Sequence, residues 1–323
     1  MARRDRLEDL RGGCGPSGIP GEFPPGTSPS RSDTREGAVE GKEEALGARL
    51  AELGPLLILL SGGSDSAALA LAALRVPGAR PRALTFLSPL DPEAADRARR
   101  VAERLRLAWE VREIDELADP FFAAHPPDRC TRCRRIRHAL ARRIAQAENV
   151  ATLADGALAE DLPSLRPGMR AAEEDGIRSP LRETGWTKTD VRALLTREGY
   201  GDLVRPSRPC LATRLPYGTP LRRADLDRIR EAEAALADRG FPDCRVRAFP
   251  YFAALVEVPE RDLPRALRQR EEILRIARRA GFDFVSLDLE GLRSGKMERT
   301  ARNAGRPAEG LPPIRFAGVS PFE

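Results

Sequence analysis

Lysine, histidine and aromatic residues are scarce in this chain. Of 54 basic residues only Lys42, Lys188 and Lys296 are lysine; histidine occurs twice, and aromatics make up 5% of the 323 residues. Arginine replaces lysine almost throughout, as a biased genome composition would produce. With a formal net charge of only +5, Arg-rich stretches carry little weight as nucleic-acid sites. No apolar run approaches the length needed to span a bilayer. The opening Met1-Ala-Arg-Arg-Asp-Arg6 has charge but no apolar stretch behind it, so no secretory signal is expected and the chain reads as cytoplasmic. The five cysteines are too few and odd in number for a disulfide framework in that compartment, and point to metal, cluster or catalytic use.

What is present is an alternation. Residues 1–42 are rich in Gly, Pro, Ser and charge, and read as a disordered extension containing Cys14. From Glu43 to Leu53 leucines fall on one helical face and Gly54 ends the helix. Strand Leu56–Leu60 then precedes helix Ser66–Arg75, strand Arg82–Phe86 precedes helix Pro92–Leu107, and strand Glu110–Ile114 precedes a loop and helix Arg134–Glu148. Strand Val150–Ala154 ends at Asp155-Gly156. Such alternation predicts an α/β fold with a parallel sheet, whose ligands bind at the carboxyl ends of the strands. A loop-rich stretch, 157–218, holds one short helix, Lys188–Arg197. Beyond Gly218 the order becomes helix Ala224–Arg239, strands Arg245–Phe249 and Ala253–Val258, helix Leu263–Ala280 and strand Phe284–Leu287. The expected organisation is a nucleotide domain over 43–218, a smaller α+β substrate or oligomerisation domain over 219–300, and a mobile tail over 301–323.

The first strand runs straight into Ser61-Gly62-Gly63-Ser64-Asp65-Ser66. Strand, glycine loop and helix start aim backbone N–H groups at one point, which suits a phosphate. No lysine closes the loop, so it is not a Walker motif. Ser61 and Ser66 can donate hydroxyl bonds, Gly62 and Gly63 let the backbone approach, and Asp65 can hold Mg²⁺. Ser88 and Asp155 sit at the ends of neighbouring strands. The motif resembles that of the PP-loop ATP pyrophosphatases, which adenylate a substrate oxygen, release pyrophosphate and then displace AMP with nitrogen or sulfur.

Cys130 and Cys133 have the spacing of a pair converging on one iron or zinc. Cys210 follows much later, in Arg208-Pro-Cys210-Leu-Ala-Thr-Arg214. Three cysteines can hold three irons of a [4Fe–4S] cluster and leave a fourth open; His125 and His138 are not placed to complete a zinc site. Arg129, Arg132, Arg134 and Arg135 favour thiolates or form a solvated helix face. Cys244, at a strand start, reads as structural.

With these residues the chain resembles the LarE family of ATP-dependent sulfur transferases. The likeness runs from about Leu46 to Glu298. It is carried by Ser61–Ser66, Ser88-Pro-Leu90, Pro126–Cys133, Asp155-Gly156, Arg166-Pro-Gly168, Arg178-Ser-Pro-Leu181, Thr187-Lys188, Cys210–Gly218, Arg245-Val-Arg247 and Leu287–Gly295. The resemblance implies ATP, Mg²⁺ and pyridinium-3,5-biscarboxylic acid mononucleotide as a small-molecule nucleotide substrate. Each carboxylate would be adenylated and converted to a thiocarboxylate for a nickel-pincer nucleotide cofactor. It further implies a [4Fe–4S] cluster on Cys130, Cys133 and Cys210 as sulfur source, with sacrifice of the Cys210 sulfur as the alternative route. The donor of the sulfide is unidentified, and a homo-oligomer is implied.

Matching positions carry further roles: Arg214 beside the active cysteine, Lys188 near the leaving pyrophosphate, Arg245 and Arg247 on the substrate phosphate. Glu233 and Glu257 match carboxylates of a metal or substrate site; Glu233 reads equally as an exposed helical residue. The chain departs from the family in three places. Arg134 stands where lysine is usual, Thr213 where serine is common, and Asp155-Gly-Ala-Leu-Ala-Glu-Asp161 lacks the usual Thr and Asn after Gly156. A tRNA 2-thiolation enzyme is the competing reading, although no RNA-binding appendage is evident. An inactive nucleotide-binding module would not need Asp65 with three cysteines, nor would an amide-forming synthetase need the cysteines.

Overall fold

The computed structural model describes residues 31–161, 168–206, 208–293 and 295–296. The expectations placed on 1–30 with Cys14, on Arg166-Pro167, on Ser294 and on the 301–323 tail lie outside the described residues. The chain divides into two compact units, Met1–Ala38 and Val39–Glu323. Of the first, the described part is helical backbone from Arg31.

The second unit is built on two sheets. The first contains β1 (Leu56–Leu59), β2 (Arg82–Leu87), β3 (Ala108–Glu113) and β4 (Thr152–Ala154), ordered β3-β2-β1-β4, with every pairing parallel. A strand buried on both faces needs side chains that are apolar at every position rather than at alternate ones. Leu56, Leu57 and Ile58 of β1 are each fully buried, each worth roughly 1.5–3 kcal/mol against exposure. The helices of this part of the chain are α1 (Arg31–Leu53), which belongs to this unit from Val39, α2 (Ser64–Leu74), α3 (Ala94–Leu105), α4 (Pro120–Ala123), α5 (Arg129–Ala147), α6 (Gly168–Glu174), α7 (Pro180–Glu183) and α8 (Lys188–Arg197). The small alanines of α2 let it lie flush on the sheet, with Ala67, Ala68, Ala70 and Ala73 fully buried.

The second sheet, β5 (Arg245–Phe249), β6 (Ala253–Glu257) and β7 (Phe284–Leu287), pairs antiparallel between β5 and β6 and parallel between β6 and β7. Helices α9 (Arg223–Asp238), α10 (Leu263–Arg268) and α11 (Arg270–Arg279) accompany it. Its core includes Leu226, Ile229, Val246, Val256 and Phe282, and also takes in Leu90, Phe122, Leu211 and Leu215. Cys133 and Cys210 pack on the edge of this second core.

Several boundaries differ from the sequence reading. Helix α5 begins at Arg129, not Arg134, because Pro126-Pro127 ends the preceding segment and the backbone closes at once from Asp128 O to Thr131 N. Cys130 and Cys133 therefore sit on the helix itself, three residues apart and on one face. Helix α2 starts two residues earlier than expected, at Ser64. The segment read as one helix over 263–280 is two, meeting at Gln269. The stretch 157–218 holds α6 and α7 besides α8.

Candidate functional site

Because the first sheet is parallel, the ends of β1, β2 and β4 place Ser61, Ser88 and Asp155 along one edge. Gly63 stands at the N-cap of α2, and no side chain caps that end, so helix-start N–H groups are not taken by a capping residue. Two glycines set the approach. Gly62 has φ +74°, and a Cβ there would lie 2.6 Å from the backbone of Arg97 and Ala98; a Cβ on Gly156 would lie 2.7 Å from Ser66 N. The loop and the turn after β4 thus press backbone on backbone around the start of α2. Ser61 and Ser66 hydroxyls lie 3.2 Å apart. Ser64 is spent on structure: its hydroxyl meets Leu203 O at 3.2 Å and accepts Arg205 N–H at 2.9 Å, tying the phosphate loop to the segment that leads to Cys210.

Asp65 pairs through Oδ2 with Lys188 Nζ, while its Oδ1 is buried without a partner. Lys188 is set by a capping box in which Thr187 and Asp190 satisfy each other's backbone. Asp155 Oδ1 accepts Ser179 Oγ–H at 2.7 Å and Ala157 N–H at 3.2 Å, and Oδ2 lies 3.7 Å from Arg134 Nη1. The departures Ala157 and Leu158 are buried in the core, so apolar packing occupies positions where polar contacts were expected. Glu160 accepts the Lys188 N–H instead.

The three cysteines come within electrostatic range of one another. Cys130 is exposed; Cys133 and Cys210 are partly buried. Burial pushes the Cys133 thiol up to about 12 and raises that of Cys210, against the nearby Arg137 and Arg129 charges. Burial likewise pushes Cys244 up to about 12, and its thiol faces Glu233 O at 3.6 Å, the surroundings of a structural thiol. Among the described residues no three His, Cys, Asp or Glu gather closely enough to hold a single metal ion.

Further residues complete this pocket, and one of them, Glu116, is not singled out in the sequence. Glu116 is fully buried. Its Oε2 accepts Ser88 Oγ–H at 2.6 Å, its Oε1 accepts Arg137 Nε–H at 2.7 Å, and Cys133 Sγ lies 3.8 Å from Oε1. Arg129 is also buried, with Nε and Nη1 lacking acceptors. Burial opposes its charge, but Cys130, Tyr217 and Cys210 more than offset that. Its Cζ lies 4.7 Å above the Tyr217 ring, against which His125 also packs. His125 is pushed down to about 4 by burial and by Arg129. Arg129 stands out in the sequence beside the cysteine pair, but its packing with Tyr217 and His125 has no local signal.

The turn carrying Cys210 is clamped by two arginines. Arg214 forks onto Glu233 at 2.7 and 3.0 Å and donates to Pro209 O at 3.0 Å. Arg247 forks onto Glu257 at 2.7 and 2.9 Å and donates to Thr213 O at 2.7 Å. The carboxylates expected at a metal or substrate site are therefore bound to arginines, and the fork of Arg247 is occupied. Arg245 differs: half-buried, its side chain makes no hydrogen bond or ion pair among the described residues. Burial and then Arg214 and Arg247 hold its guanidinium below the usual arginine range.

No protein-family profile matches the chain. An uncharacterized protein of Synechocystis is 35% identical over 264 residues, covering 81% of this chain and 98% of that protein. An uncharacterized protein of Methanocaldococcus jannaschii is 28% identical over 193 residues, 60% of this chain and 73% of that one. The pyridinium-3,5-bisthiocarboxylic acid mononucleotide synthase of Lactiplantibacillus plantarum is 33% identical over 265 residues, 81% of this chain and 96% of the synthase. With that identity across nearly the whole synthase, the chain belongs to the LarE family of enzymes.

Proposed function

We propose that this enzyme uses ATP to convert the two carboxylates of pyridinium-3,5-biscarboxylic acid mononucleotide to thiocarboxylates, a step in making a nickel-pincer nucleotide cofactor. The observation that carries the reading is the 33% identity to the named synthase over 96% of its length. The geometry supports it by joining the two half-sites such a reaction needs. The end of β2, through Ser88, and the cysteine pocket, through Cys133, meet at one carboxylate, Glu116.

In the first half, a substrate carboxylate oxygen attacks the α-phosphorus of ATP and pyrophosphate leaves. Ser61, Gly62, Gly63 and Ser66 cradle phosphate oxygens at the start of α2. Asp65, with its partnerless buried oxygen, would hold Mg²⁺, which neutralises phosphate charge when bound. Lys188 is placed on the same carboxylate to follow the departing pyrophosphate. Activation matters because an oxide is a poor leaving group and AMP a good one. In the second half a sulfur nucleophile attacks the adenylated carbonyl carbon, the C–O bond to AMP breaks, and the C–S bond remains.

Cys130, Cys133 and Cys210 would hold a [4Fe–4S] cluster, which supplies sulfide at its open iron when bound. The fit rests on three thiols in electrostatic range of one another and of the Arg129 and Arg137 charges, which favour an anionic group there. Arg245, uncommitted and half-buried, binds the substrate phosphate. The Cys210 turn is held still by Arg214 and Arg247. The mechanistic alternative is donation of the Cys210 sulfur itself, leaving dehydroalanine.

Mass spectrometry of protein and product after one turnover with ATP, Mg²⁺ and the bis-carboxylate nucleotide tests this. Product gaining sulfur while protein mass stays constant supports the cluster route; loss of sulfur from Cys210 supports sacrifice. Absence of both pyrophosphate and thiocarboxylate overturns the function.

A further inference from the structure

Arg129 and His125 present an unusual pair of buried, unmatched groups. Arg129 is 3% exposed, yet two of its nitrogens have no acceptor. A guanidinium stays charged at any physiological pH; Tyr217 takes one hydrogen bond and the nearby sulfurs favour the charge, but buried donors without acceptors, Nε and Nη1, are costly. His125 is fully buried and lacks a partner at Nε2. Its Nδ1 lies 3.0 Å from Pro216 O. A carbonyl only accepts, so Nδ1 carries the proton and Nε2 is left as a lone-pair acceptor. Both residues pack on one ring: Arg129 Cζ at 4.7 Å from the Tyr217 centroid and the His125 ring at 5.5 Å. Arg129 also feels the sulfurs of Cys130 and Cys210.

A ligand that satisfies both groups must be anionic for Arg129 and protic for His125. It must also be small, because both residues are closed to solvent. A substrate carboxylate meets the first condition but brings no proton to Nε2, and it is tethered to a nucleotide too large for a closed seat. Water meets the second condition but brings no negative charge to the two unmatched nitrogens of Arg129. Hydrosulfide meets both, and its soft, polarisable sulfur suits the aromatic face beside it.

We propose that Arg129, His125 and Tyr217 form a binding seat for hydrosulfide beside Cys130 and Cys210, separate from any iron. It holds the incoming sulfur as HS⁻ next to the cysteine pocket before insertion. The seat rests on the sulfur-insertion reading above and deepens it: the sulfur arrives as the free inorganic anion.

Equilibrium dialysis of the anaerobically purified full chain against radiolabelled sulfide tests the seat. Iron and cyanide-releasable sulfur are measured on every sample. The native chain is expected to hold label reversibly; excess unlabelled sulfide is expected to displace it, and bromide, an anion with no proton for Nε2, is not. Arg129→Gln should weaken binding about tenfold or more, the loss of a charge-assisted hydrogen bond, with Arg129→Lys recovering part of it. His125 has a left-handed backbone at φ +60°, which asparagine tolerates, so His125→Asn serves as a second variant that keeps the fold and should also weaken binding. Label that tracks iron content across the variants overturns the seat, as does label retained in Arg129→Gln or label fixed as cyanide-releasable sulfur. Thiocarboxylate formed without such binding sinks the seat alone; absence of any product sinks the sulfur-transfer reading itself.

Discussion

Ser88 and Cys133 meet at one buried carboxylate: the Ser88 hydroxyl lies 2.6 Å from Glu116 Oε2, and the Cys133 sulfur lies 3.8 Å from Oε1. One residue at the nucleotide edge and one in the cysteine pocket are thus tied through a group that never reaches solvent. Arg137 supplies the balancing charge. Glu116→Gln keeps the shape but removes that balance. It should cost about 2 kcal/mol, toward the lower end for a broken charge pair because Arg137 is itself partly exposed. A urea titration measures this, and an unchanged midpoint would show that the carboxylate contributes nothing to the fold.

Gly156 makes a sharper test of the nucleotide edge. Its missing Cβ is what lets the turn after β4 lie against the start of α2, since a Cβ there would stand 2.7 Å from Ser66 N. Gly156→Ala must push the start of α2 aside, at roughly 1–3 kcal/mol of overpacking. The displaced backbone includes Asp65 and Ser66, so ATP affinity should fall more than stability does. Isothermal titration with a non-hydrolysable ATP analogue, beside a melting curve, separates the two. Equal affinity in the variant would mean that the nucleotide does not sit at this helix start.

The strand-end edge was legible in the sequence because each part of it is local. The apolar run of β1, the glycines behind it and the alternating helices are all short-range patterns, and the parallel sheet follows from them. The cysteine pair was legible from its spacing. Glu116 was not, since one acid in a chain dense with acids has no distinguishing neighbours; its role is made by Ser88, 28 residues earlier, and Arg137, 21 later. The same holds for Glu257. Its directly paired cross-strand neighbour is Arg245, yet the diagonal residue Arg247 takes the carboxylate. Both arrangements fit the alternation of a strand, and only packing chooses between them.

His125 gives the fold an acid-sensitive component. Its folded pKa, about 4, lies below the ordinary 6.5 because burial and Arg129 disfavour the imidazolium. A depressed histidine stabilises the fold above its unfolded pKa, and that contribution is lost as pH falls from about 6.5 through about 4. The full difference is roughly 3 kcal/mol at most. Urea midpoints at pH 7 and pH 4.5 should therefore lie further apart for the native chain than for His125→Asn, in which the remaining difference comes from His138, also held down by burial, and from lowered carboxylates such as Asp190. An equal pH dependence in the two would assign the effect to other groups.

Arg245 and Arg247 can be told apart by the sign of their effect on stability. Arg247 is buried and bonded on both sides of its fork to Glu257, which is itself fully buried. Arg247→Gln leaves that carboxylate without its partner and should cost about 3–5 kcal/mol. It should also free the Cys210 turn, because the bond to Thr213 O is lost with it. Arg245 repels Arg214 and Arg247 and forms no pair of its own. Arg245→Gln should therefore leave the melting temperature unchanged or raise it, while KM for the nucleotide substrate rises about tenfold with the loss of one guanidinium–phosphate contact. A residue whose removal helps the fold and harms binding is held in place by function, not by packing. If Arg245→Gln instead lowers the melting temperature and leaves KM alone, the substrate phosphate binds elsewhere.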